Sequence, residues 1–288
     1  MATKFKKTFS TLFAFCSIIS VVCYAKENLN IGAMANIGFT KSIVSSGHAE
    51  VRAPETQSME YIQITAGNVN VVIYENPYGT LEITPSSLTT SGCVNFELDK
   101  LDIDIPKDAP FTEIVVMLPE GRKYSLEVQT QADIYLCASS IIEAKLTNLT
   151  GHIFIFDSSI ESAYINSLRG DIDIRESYIQ LLRTNTASGD TYINSIVTSA
   201  IVESRTGSIE YYTPVLFSNA DFKTMSGDIE MEIPDKTGFE VFFDSIEGSF
   251  YCSEEFELEE HSGKYVYLSG NTPINVKTAS GDLILMKW

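Results

Sequence analysis

The chain has 288 residues, 44% of them apolar and 20% charged, which is enough to build a sizeable core and unlike a disordered acidic tail. Its formal net charge is −18, and so negative a surface repels nucleic acid and anionic lipid, which excludes both as expected partners.

Lys4, Lys6 and Lys7 open the chain, and an apolar run from Phe9 to Val22 follows, interrupted only by Ser and Thr. Cys23-Tyr24-Ala25 then places small residues at the third and first positions before a cut after Ala25. This is the pattern of a secretory signal peptide over residues 1–25, and the run is short for a membrane span. Phe15 before Cys16 and Val22 before Cys23 do not supply the small residue a lipid-anchored cysteine needs. No later stretch is long and apolar enough to span a bilayer, so an exported chain is expected, in the periplasm, at the cell surface or secreted. Beyond the leader three cysteines remain, Cys93, Cys137 and Cys252, with no CxxC; an odd number gives no closed disulfide framework.

Residues 26–58 carry little pattern and read as a linker or edge segment. From 59 to 121, "YIQITAGNVNVVIYE" and strands punctuated by Pro106, Pro110 and Pro119 read as an irregular N-terminal β cap. A repeat then begins. Ala132, Gly151, Gly170, Gly189, Gly207 and Gly227 are spaced by 19, 19, 19, 18 and 20 residues. Two after each anchor stand Ile134, Ile153, Ile172, Thr191, Ile209 and Ile229, and four after it Leu136, Ile155, Ile174, Ile193, Tyr211 and Met231. Seven before it stand Ser125, Ala144, Ala163, Leu182, Ala200 and Ala220, and five before it Glu127, Leu146, Ile165, Thr184, Val202 and Phe222; Glu127 breaks the column, which predicts a degenerate or shifted first repeat there. Ile141, Ile160, Ile179, Val197 and Phe217 start that second strand, and Ser139, Ser158, Ser177 and Ser195 mark the corner.

Period-two alternation at a fixed repeat predicts an all-β, single-domain parallel β-solenoid of about 19 residues per coil over 122–288, with irregular β capping segments. The Gly is expected to supply a turn conformation that a Cβ would hinder, and the neighbouring hydroxyl and Asp to satisfy turn N–H groups locally. "YVYLSGNTPINVKTASGDLILMKW" is expected to close the stack around Gly281.

The recurring "SGDI"-type turns, "IVVMLPEGRKYSLEVQTQADIYL" and "INVKTASGDLIL" resemble the bacterial putative adhesin family of β-solenoid domains of unknown function, over roughly 59–288. The resemblance implies an exported, all-β, non-enzymatic protein and brings no ligand residues. Ala132 in the Gly place, and His152 and Ser208 in the Asp place, depart from the pattern.

Three candidate sites follow. Asp133, Asp171, Asp190, Asp228 and Asp282 form an acidic turn column. Stacked carboxylates attract Ca²⁺, but His152 and Ser208 interrupt the column, so Gly151, Gly170, Asp171, Gly189, Asp190, Gly207, Gly227, Asp228, Gly281 and Asp282 are read as structural turn residues, with no metal or cofactor. Asp173, Arg175, Glu210 and Glu230 line one outer face and permit a carbohydrate-active enzyme, hydrolase or lyase, as the alternative. No HExxH, GxSxG, Walker or dinucleotide fingerprint is present, and no catalytic residue is assigned. Tyr135, Phe154 and Tyr192 share the outward column between the two apolar ones and are the candidate ligand-binding residues, facing a protein or glycan at the cell surface; Tyr164 points outward on the other sheet. The expectation is a non-catalytic, adhesin-like or scaffolding binding protein.

Overall fold

In a computed structural model the structure describes residues 49–50, 61–77, 81–84, 93–97, 99–110, 112–216, 218–261 and 263–287. The leader expected at 1–25, almost all of the 26–58 segment and Phe217 lie outside them. The described residues form strands and turns with no helix, so none is long and apolar enough to cross a membrane.

Most strands pair in parallel, and they build a stack of layers, each with two strands. Through the middle, layers follow chain order. Ile134 pairs with Ile153, Ile153 with Ile172, Ile172 with Thr191, Thr191 with Ile209 and Ile209 with Ile229. On the second sheet Ala144 pairs with Ala163, Ala163 with Leu182, Leu182 with Ala200 and Ala200 with Ala220. Equivalent apolar residues therefore sit above one another about 4.8 Å apart. The interior is a continuous ladder in which Ile153, Ile172, Ile174, Leu182, Ile209 and Ile229 are fully buried. Each such side chain contributes about 1.5–3 kcal/mol by leaving water.

The uneven spacing has a local cause. Asp157 and Glu176, one layer apart at the same corner, take left-handed backbone with φ of 45° and 50°. In the next layer Arg175 pairs with Asn194 and Tyr178 with Ile196, so two residues face one. The layer with the shorter step has dropped the left-handed residue. Buried serines close this corner: Ser158 Oγ accepts from the Ala138 amide, Ser177 Oγ from Ser158 and Ser195 Oγ from Ser177, each at 3.1 Å. Ser139 does not belong to this row, because Ala138 occupies its place.

The structure locates the shift expected at the first repeat and corrects two other expectations. Ser125 and Glu127 are not inward: Leu126 and Val128 are buried and pair with Ala144 and Leu146, and the one-residue slip is absorbed at half-exposed Ile142. Glu127 instead accepts a hydrogen bond from the Tyr61 hydroxyl. The long described strands between 61 and 119 are not irregular. Tyr61–Ala66 and Asn70–Asn76 form a parallel layer against Tyr124–Thr130 and Ile134–Cys137, and Lys100–Ile105 and Glu113–Pro119 form a further parallel layer outside it. The closing pair, Thr272–Thr278 and Leu283–Lys287, is not terminal in space. It lies between Ala220–Thr224 with Ile229–Ile233 and the outermost Phe239–Ser245 with Phe250–Cys252. At the C-terminal end the chain passes over one layer and returns to fill it; at the N-terminal end it lays down the second layer first, then the outermost, and crosses the filled layer to reach the third. Short antiparallel strands then blunt the stack: Glu82–Thr84 and Val94–Glu97 at one end, Lys264–Tyr267 at the other.

Candidate binding face

The repeated triplet sits along one corner of the stack. A Cβ on Gly170 would stand 1.4 Å from the Gly151 carbonyl oxygen, and one on Gly151, Gly189, Gly207, Gly227 or Gly281 would also strike backbone of the layer beneath. None of these glycines has left-handed φ. The column is glycine because layers touch there, which corrects the expected conformational role. Where a hydroxyl caps the glycine amide it lies three residues before the glycine, not one: Gly170 N donates to Ser167 Oγ, Gly207 N to Ser204 Oγ, Gly227 N to Thr224 Oγ1 and Gly281 N to Thr278 Oγ1, at 2.8–3.0 Å.

The acidic column bonds between layers as well. His152 N donates to Asp133 Oδ1, Asp190 N to Asp171 Oδ1, Ser208 N to Asp190 Oδ1 and Asp282 N to Asp228 Oδ1, at 2.8–2.9 Å. Asp171 N donates to His152 Nδ1 at 3.2 Å, and the same nitrogen lies 3.4 Å from Asp171 Oδ2. Neutral His152 caps the amide, and protonated His152 pairs with the carboxylate. That pairing holds the His152 imidazole above its ordinary range and the Asp171 carboxyl below its own. Each Oδ1 named here accepts from an amide, and no group of three or more His, Cys, Asp or Glu among the described residues is placed to hold a metal.

The outward column contains Tyr135, Phe154, Asp173, Tyr192, Glu210 and Glu230 in successive layers. Tyr135 and Phe154 stack with ring centroids 4.9 Å apart and planes within 2°. Asp173 separates them from Tyr192. A parallel column missed in the sequence, five after each anchor, runs Cys137, Phe156, Arg175, Asn194, Tyr212 and Glu232. Its signal was the next outward position of the same alternation. Arg175 joins the columns. Its Nε and Nη2 grip Asp173 at 2.6 and 2.9 Å, and its guanidinium lies 4.4 Å from the Tyr192 ring centroid. Tyr192 in turn meets Tyr212 at 5.5 Å. The result is a sheet face of half-buried rings bracketing one arginine–aspartate pair.

The carboxylates proposed for catalysis lie on this face and are paired. Burial raises the Asp173 carboxyl, and Arg175 opposes the shift. Burial, then repulsion from Glu230, raises Glu210. The Tyr212 hydroxyl lies 2.8 Å from Glu230 Oε1 and 3.3 Å from Glu210 Oε2. Burial and these acids hold the Tyr212 phenol far above its usual range. A groove of about 410 Å³ lies elsewhere, lined by Thr65, Asp104, Lys107, Gln129, Gln131 and Asn148. Cys93, Cys137 and Cys252 are half-buried, and burial pushes the Cys252 thiol up to about 11.

The profile of the family described as Toastrack DUF4097 matches residues 44–285. The crystal structure of a putative adhesin from Bacteroides fragilis NCTC 9343 is similar over 83% of this chain and 95% of that one, with 13% identity and a TM-score of 0.51, a likeness of fold. A putative cell adhesion protein from Clostridium sporogenes ATCC 15579 aligns over 84% and 98% with 10% identity and a TM-score of 0.24, too low to carry an argument. No curated protein matches.

Proposed function

The chain belongs to the Toastrack DUF4097 family, and from that premise we propose that it is an exported, non-catalytic binding protein that presents the Tyr135–Phe154–Tyr192 face to a protein or glycan at the cell envelope. On this reading the parallel registers describe one continuous β-solenoid of about nineteen residues per coil, rigid enough to hold rings in fixed rows. The observation that carries the proposal is the stacked pair Tyr135–Phe154 beside Arg175 and Tyr192, a flat array that matches the faces of sugar rings or aromatic side chains. The bonds of Asp173 and of Glu210 and Glu230 to Arg175 and Tyr212 favour positioning over proton transfer. Kinship of fold with a protein named a putative adhesin accords with this reading.

A glycan-array and envelope-protein binding screen of the full chain tests it. Tyr135→Ser with Phe154→Ser, in a variant whose melting is cooperative, is expected to lower the captured signal about tenfold, the loss of one or two ring contacts. Undiminished capture by the double variant would remove this face from the account. Surface protease shaving of intact cells checks exposure. The enzyme alternative rests on the raised Glu210 carboxyl beside Glu230, and release of reducing ends from a glycan panel, abolished by Glu210→Gln, would establish it instead.

A further inference from the structure

The two ends of the stack are finished differently. At one end Val94–Glu97 pairs with Lys100–Ile105 and Glu82–Thr84 with Glu113–Pro119, so both outermost strands are covered. At the other, Lys264–Tyr267 covers Phe239–Val241, but no described strand lies against the outer side of Phe250–Cys252. Leu283 N donates to the Ser249 carbonyl and Ser253 N to the Leu285 carbonyl, both at 2.9 Å. The alternation of a parallel ladder then turns the N–H and C=O groups of Phe250 and Cys252 toward the open side.

Apolar surface surrounds this edge. Ile246 is 84% exposed and Tyr251 55%. Phe250, half-buried, lies 4.6 Å from Tyr265 and 6.1 Å from Phe243. The rim is acidic: no Lys or Arg occurs from Phe239 to Gly263, and Asp244, Glu247, Glu254 and Glu257 are exposed.

We propose that Phe250–Cys252 is a docking edge for an extended, basic segment of a partner protein, which adds one strand to the open end. Main-chain hydrogen bonds to Phe250 and Cys252 supply pairing, apolar side chains of the segment lie against Tyr251 and Ile246, and its Lys or Arg residues meet the acidic rim. Charge selects the occupant. A second copy of this chain would bring the same acids to the same edge and be repelled, whereas a cationic strand is steered in. This site is separate from the aromatic face and stands or falls without it.

The test uses the full chain and a capped nine-residue peptide alternating Lys and Val, titrated by calorimetry. A second peptide carries N-methyl groups on alternate residues, keeping its charge but losing one hydrogen-bonding edge. Asp244→Lys with Glu247→Lys should weaken the first peptide about tenfold or more, whereas Asp104→Lys with Asp108→Lys at the far end should not. The methylated peptide should fail on every chain. Equal binding of both peptides, or equal loss in both variants, reduces the effect to general charge attraction and overturns the proposal. A peptide-free dimer in sedimentation that Tyr251→Lys dissolves assigns the edge to a second copy and overturns it equally.

Discussion

In the middle of the stack sequence neighbours are spatial neighbours, and at the two ends they are not. From Ile134 to Ile229 each layer rests on the one before it, and side chains of one type ride above their counterparts. At the C-terminal end the chain overshoots: Gly281 lies on Gly227, and the segment between them reaches the outside; at the N-terminal end the second layer precedes the outermost in sequence. The middle is held by contact between identical corners, whereas the ends are closed by aromatic and antiparallel devices. Phe239, Phe256 and Tyr267 cluster at 4.9–5.3 Å at the C-terminal end, a plug of three rings where the middle is mostly aliphatic. A repeat can propagate itself but cannot terminate itself, because its last layer exposes one unpaired edge and one unburied core.

Substitution of corner glycines should break this contrast most sharply. Gly170→Ala drives a Cβ into the Gly151 carbonyl and is expected to cost about 3 kcal/mol or more in urea unfolding. Gly121→Ala, at φ +79° with open space around it, should cost only about 1 kcal/mol, the backbone penalty alone. Equal losses would mean the layers do not touch at the corner. Next comes the serine row. Ser177→Ala leaves the Ser158 amide without its acceptor and should cost about 1–3 kcal/mol, with no effect on the C-terminal aromatic plug.

Thr191→Val should move in the opposite direction. Thr191 is 1% exposed and its hydroxyl has no hydrogen-bond partner among the described residues, so the valine is expected to gain about 1 kcal/mol. A loss on that substitution would place an unseen partner in the core. The smallest effect concerns pH. Because the His152 imidazole is raised above 6.5 by Asp171, the pair contributes stability that is full below pH 6.5 and is lost as pH rises through the raised value. Asp171, lowered from 3.8, adds a share present above 3.8 and lost as pH falls through its lowered value. Both groups are half-exposed, so solvent screening holds the effect to ~0.5 kcal/mol or less. His152→Ala should flatten the melting-temperature profile above pH 6.5; a profile of unchanged slope would deny the pairing.

The middle was legible because its chemistry repeats. The inward positions, the uneven spacing and the outward row of Tyr135, Phe154 and Tyr192 all follow from one alternation counted from the glycines. What the sequence hid was the reason for those glycines: a conformational demand and a close approach select the same residue, and only the position of the Gly151 carbonyl separates them. The acids looked like local turn caps because a column of letters does not show which layer an oxygen reaches. Tyr212 escaped notice, and Arg175 was read only as a base beside the carboxylates, because their column is chemically mixed and its coherence comes from contacts between layers. The permuted ends left no trace in the spacing, since a strand pair carries the same pattern whichever neighbour it meets.

The most direct test of the stacking account compares two spin-label pairs in a chain whose five cysteines, Cys16, Cys23, Cys93, Cys137 and Cys252, are replaced by Ser. Lys223 pairs with Lys277, and Lys277 with Asp244. Labels at 223 and 277 should therefore be one layer apart and broaden each other strongly. Labels at 223 and 244 should be about 10 Å apart at the backbone, two strand spacings, and broaden weakly. The reverse order of broadening would mean that the layers follow the chain to its end and that the returning strand pair has been misplaced.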